Sequence, residues 1–144
     1  MMPRISSLVL TLFLICIFSC QKKEETNATK AVLYPNQDAP LALLMREMFL
    51  DMEEIKLSVE NKEALKSYLE KHKDILSAIP TNPKVKTEQF QLMGNAYLES
   101  LTTLENSSED LLIDNYQAVV NTCLGCHQQY CPGPIQKINK LIKE

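Results

Sequence analysis

From residue 38 onward, apolar side chains recur at intervals of three and four, the pattern of helices that bury one stripe. The first stretch opens near Asp38 as an N-cap, has Pro40 in its first turn, and points Leu41, Met45, Met48, Met52, Ile55 and Val59 inward. A second, from about Asn61 to Ile79, aligns Leu65, Leu69, His72, Leu76 and Ile79 and ends at Pro80 and Pro83. The third opens at Thr87 and carries Phe90, Met93, Tyr97, Leu101 and Leu104. The fourth opens at Ser107 or Ser108 and carries Leu112, Tyr116, Val119, Cys123, His127 and Tyr130 until Cys131-Pro132-Gly133-Pro134 stops it. A short amphipathic tail follows, with Ile135, Ile138, Leu141 and Ile142 on one side and Lys137, Lys140 and Lys143 on the other. No strand-like alternation competes. The pattern predicts an all-α domain, an antiparallel four-helix bundle with a short C-terminal extra helix.

The chain before residue 38 reads differently. Met1 to Arg4 is a short basic start, and the apolar run Leu8 to Phe18 is too short to span a bilayer, so residues 1–19 read as a secretion signal. Ile17-Phe18-Ser19-Cys20 resembles a bacterial lipobox, which implies that Cys20 is lipidated and becomes the first residue. Acyl chains there would hold the protein on a membrane, at about 0.8 kcal/mol for each buried methylene. Residues 20–37 are polar and lack an apolar period, and read as a flexible tether to the domain at 38–144.

Composition narrows the class. The full chain carries a net charge of −3, and loss of Arg4 with the signal makes it −4, a mild acidity that argues against nucleic-acid binding. Of five cysteines, Cys16 leaves with the signal and Cys20 takes lipid, so no disulfide scaffold is indicated.

The remaining cysteines carry the chemistry. Cys123-Leu124-Gly125-Cys126-His127 spells C-x-x-C-H, the attachment signal of a c-type haem. On a helix the two thiols and the imidazole project from one face, so the thiols can form thioethers with two vinyl groups of one haem. His127 is then placed as the proximal ligand to iron. Zinc is a poorer reading of Cys123, Cys126, His127 and Cys131, because adjacent Cys126 and His127 fit a tetrahedron badly. A redox C-x-x-C site would need a strand–helix setting that is missing here.

Four helices with this motif on the last one resemble the class II cytochromes c, the cytochrome c′ family, over roughly residues 38 to 131. In an up-down bundle the start of the first helix lies beside the end of the fourth. Met45 and Met48 are therefore the candidates for the sixth ligand, with Met48 preferred; core filler is the competing role for both. The resemblance implies a different register, in which the distal-side residue falls four after an arginine. From Arg46 that residue is Leu50, which is off the inward stripe and leaves the coordination number open. Arg46 is the only arginine after the signal; it suits a haem propionate, or pairs with a surface acid.

The other residues fall into place around this reading. His72 faces inward but lies too deep for ligation and reads as a hydrogen-bonded core histidine. Met93 is core, Gly94 permits a close approach by a helix or the haem edge, and Cys131 is a spare thiol that could bridge a homodimer. No nucleophile–base pairing indicates an enzyme. The expectation is a monohaem c-type cytochrome that passes electrons between redox partner proteins, as a bacterial membrane lipoprotein facing the periplasm or cell exterior. A five-coordinate protein binding NO or CO, and a haem subunit of a respiratory complex, are the alternatives.

Overall fold

The computed structural model describes residues 39–142, and all regular structure among them is helical, with no strand. Five α-helices follow in order: α1 Pro40–Asn61, α2 Leu69–His72, α3 Glu88–Glu105, α4 Leu112–Tyr130 and α5 Ile135–Ile138. Short 3-10 turns at Lys73–Leu76, Pro83–Val85, Glu109–Leu111 and Asn139–Leu141 extend or join them. None of these helices is long and apolar enough to cross a membrane. The signal segment, Cys20, the tether and Asp38 lie outside the described residues; Ala39 holds the N-cap position of α1, with Pro40 as its first helical residue.

The inward stripe of α1 consists of Leu41, Leu44, Met48, Met52, Ile55 and Val59, all buried, while Met45 is half-buried. The expected second helix, Asn61–Ile79, is a correction. Asn61 instead ends α1, Lys62 turns the chain left-handed at φ 57°, and helix resumes only at Leu69. The delay has a tertiary cause. Glu105 of α3 accepts from the Tyr68 backbone N–H (2.8 Å) and the Ser67 hydroxyl (2.7 Å), capping α2 from outside its own segment. Leu65 is thus outside any helix, and Ile79 is 68 % exposed.

The α3 start follows the sequence: the Thr87 hydroxyl accepts from the Phe90 N–H at 3.1 Å. Phe90, Gly94, Tyr97, Leu101 and Leu104 form its buried face. Gly94 serves helix packing. A Cβ there would lie 2.7 Å from Leu76 Cδ2 and 3.7 Å from Ile75 Cγ2, so its bare backbone lets the end of the second segment settle against α3.

Cross-links define two ends. At one, the Leu41 N–H donates to the Ile79 carbonyl (3.0 Å), Gln91 donates to the Leu76 carbonyl (3.2 Å), and the hydroxyls of Thr87 and Tyr130 pair at 2.7 Å. At the other, Tyr68 meets Glu105, and Lys62 meets Glu109 at 2.7 Å. Successive segments therefore run back and forth between these ends.

The expected C-terminal helix forms as α5 and its 3-10 extension, which turn back along α4 and against α1. Ile138 and Leu141 enter the core. The Tyr116 hydroxyl donates to the Leu141 carbonyl (2.8 Å), and Lys56 Nζ reaches the carbonyls of Lys140 (2.9 Å) and Ile142 (3.3 Å). Lys137 lies over the Phe49 ring, 4.2 Å from its centroid.

Candidate functional site

The whole C-x-x-C-H motif lies within α4, so Cys123, Cys126 and His127 share one helix face, as their spacing requires. Cys123 and Cys126 are half-buried against the apolar core, and both are free thiols. Burial pushes the Cys123 thiol up to about 12, with the neighbouring Cys126 adding to the rise, and burial likewise raises Cys126. A site that penalises a thiolate suits an uncharged thioether and keeps the free thiols slow to exchange.

His127 is oriented by the backbone. Its Nδ1 lies 2.9 Å from the Cys131 carbonyl oxygen. A carbonyl can only accept, so Nδ1 carries the proton and Nε2 keeps its lone pair for a metal. Proline makes this contact available. Cys131 precedes Pro132, which drives it out of the helical region to φ −154°, ψ 79°. Its carbonyl then leaves the helical direction and turns to the imidazole. The Cys131 thiol itself is exposed. At Gly125 an added Cβ would meet nothing within 4 Å. Two thiols and a correctly protonated imidazole on one helix face form a donor set that fits covalent haem.

Helix register relates α1 to this site. Lys56 and Tyr116 hold the same stretch of tail, so they mark one level of the fold. Stepping eight residues toward the common end, about 12 Å, leads from Lys56 to Met48 and from Tyr116 to Leu124. Three more residues lead to Met45 and His127. Both methionines thus lie within about a turn of the motif's level. Burial separates them, with Met48 5 % exposed and Met45 half-buried. Leu50 is 60 % exposed, on the opposite face of α1. Arg46 is exposed near the same end, and among the described residues it makes no ion pair or side-chain hydrogen bond.

His72 is fully buried with both ring nitrogens in hydrogen bonds, Nε2 to Asp51 (2.9 Å) and Nδ1 to the Tyr97 hydroxyl (2.8 Å). Neither nitrogen has a lone pair free for iron, so the structure gives His72 the core role. Sequence reasoning missed its partner Asp51. The available signal was an acid at the edge of the inward stripe of α1, opposite an inward histidine. Met93 is half-buried on α3. Among the described residues, no three His, Cys, Asp or Glu side chains converge to hold a metal ion.

Compared with known proteins, the chain matches no family model, no curated sequence and no solved structure.

Proposed function

We propose that this protein is a monohaem c-type cytochrome that carries electrons, built as an antiparallel four-helix bundle of the cytochrome c′ kind. The observation that carries the reading is the His127–Cys131 hydrogen bond beside two thiols on one helix face. It fixes the tautomer that leaves Nε2 as the ligand and holds the ring in one orientation. Haem, when bound through Cys123 and Cys126, supplies a one-electron ferric/ferrous couple. The chain's part is to hold it by two thioethers, offer His127 to one face, and exclude water with the residues of α1 and α3.

Met48 would be the preferred thioether to hold the haem iron and Met45 the next, because both lie on α1 near the level of the motif. A thioether ligand favours the ferrous state and raises the potential. Arg46 supplies a charge for a propionate. The lipobox-like segment at Cys20 supports a lipoprotein that faces the periplasm or cell exterior, where redox partner proteins dock transiently.

The test is expression in a host competent for c-type maturation. The expected product is coloured, keeps its pigment through acidified organic solvent, and shows a sharp ferrous α band. Rapid, large spectral change on adding carbon monoxide would replace electron transfer with gas binding at an open iron. A colourless product from Cys123 and Cys126 left as free thiols would refute the reading altogether.

A further inference from the structure

The buried polar chain at mid-height has no role in holding a haem, and its cost calls for one. His72 is fully enclosed, Asp51 nearly so, and Tyr97 is 3 % exposed. An unpaired group in such a place costs several kcal/mol, and satisfied chains of this type are confined to sites where they act or specify packing. Here the satisfaction is directional. The Asp51 carboxylate accepts from Nε2–H, which leaves Nδ1 to accept from the Tyr97 hydroxyl. Lys71, 40 % exposed, pairs with the same Asp51 oxygen and connects the chain to solvent. The other end lies near the motif: Phe90 of α3 packs on Tyr130 of α4 with ring centroids 5.7 Å apart, and seven residues along each of these antiparallel helices bring Tyr97 level with Cys123.

We infer that His72 is a redox-linked proton site: it takes up one proton from water at Nδ1 when the haem accepts an electron, with the Asp51 carboxylate, itself paired with Lys71, holding the resulting imidazolium from the Nε2 side. The inference rests on the haem reading. Reduction by a one-electron donor lowers the charge beside Cys123 by one unit. The incoming proton goes to Nδ1, giving an imidazolium that donates to both Asp51 and Tyr97, whose hydroxyl turns from donor to acceptor. One electron and one proton enter together, and the total charge of the interior is unchanged.

The groups facing His72 set the balance. Burial holds its pKa below the ordinary histidine value, and Asp51 from α1 opposes that shift without cancelling it. Lys71 on its own segment lowers it further, and Glu105 from α3 raises it. Tyr68 stacks on the ring with centroids 5.8 Å apart. Its buried hydroxyl has no hydrogen-bond partner among the described residues, and burial, with Glu54 and Asp51 nearby, disfavours its ionisation.

The test begins with pigment. Protein without covalent haem removes both readings, whereas pigmented protein isolates this one. The midpoint potential of the pigmented protein is then measured from pH 4.5 to 8 by spectroelectrochemistry. The expected result is a window in which the ferrous/ferric ratio at fixed potential changes up to tenfold per pH unit, 59 mV for one electron. Histidine ring carbon-13 shifts, followed in both oxidation states, provide a second readout. The chain has two histidines, and the His72 titration should lie higher in the ferrous protein. His72→Gln should flatten the potential window. If that variant does not fold, Asp51→Asn and Tyr97→Phe should each move it. A flat potential in pigmented wild-type protein, an unaltered window in the variants, or equal His72 titrations in both states overturns the inference.

Discussion

Replacing Met48 with leucine isolates ligation from packing. Met48 is nearly enclosed on the inward stripe of α1, so Met48→Ala would combine loss of a ligand with a cavity costing about 2–5 kcal/mol. Leucine conserves the volume, and such exchanges cost less than about 1.5 kcal/mol. For a domain of this size each kcal/mol lowers Tm by about 4–8 °C, so Met48→Leu should stay folded at 25 °C with Tm lower by no more than about 12 °C. Its spectrum should change far more. A six-coordinate low-spin iron would become high-spin in the ferrous protein, and carbon monoxide should bind without first displacing a ligand. Met45→Leu, applied to the half-buried neighbour, is the control and should leave the spectrum as it was. A low-spin spectrum that survives Met48→Leu but not Met45→Leu would transfer the role to Met45, one turn nearer the helix start. Survival through both would refute the register argument that brings α1 methionines to the iron.

Other expectations follow from individual contacts. Because burial depresses His72, the unfolded chain binds its proton more readily than the folded one. Stability should be fully present above the ordinary histidine value near pH 6.5 and decline as pH falls below it, with urea midpoints dropping between pH 6.5 and 5; a flat profile there, or one retained in His72→Gln, would contradict this. Pro132→Ala should allow Cys131 to stay helical and lose the His127 contact, giving a less electron-rich ligand and a higher midpoint potential by redox titration. Tyr116→Phe should cost about 1–3 kcal/mol in chemical denaturation, since it leaves the Leu141 carbonyl without its donor. Gly94→Val should cost about 1–3 kcal/mol through overpacking, because its Cβ would meet Leu76.

Three helices were legible where their signals are local, but the fourth, expected from Ser107 or Ser108, becomes α-helical only at Leu112, after a 3-10 turn at Glu109–Leu111. Thr87 caps α3 through its own third residue, Pro40 opens α1, and Pro132 halts α4. The second helix was not legible, because Glu105, thirty-seven residues from Tyr68, decides where it starts. Local periodicity carried on through Leu65 and Ile79, which have no helix to belong to. At the candidate site the side chains were readable from C-x-x-C-H alone, yet the group orienting His127 is a backbone carbonyl and leaves no trace in residue identity. Only the C-P-G-P run hinted that the backbone must turn there. Asp51 shows the same limit from another side. One acid among Glu47, Glu53 and Glu54 looks like solvated surface until Tyr97 and His72 are brought up to it from two other segments.

The way the last residues are used has a consequence in time. Ile138 and Leu141 close the core, and Tyr116 and Lys56 fasten to carbonyls within a few residues of the final one. During synthesis, amino end first, the core around Tyr116 and Lys56 therefore stays open until residues 135–142 have been delivered.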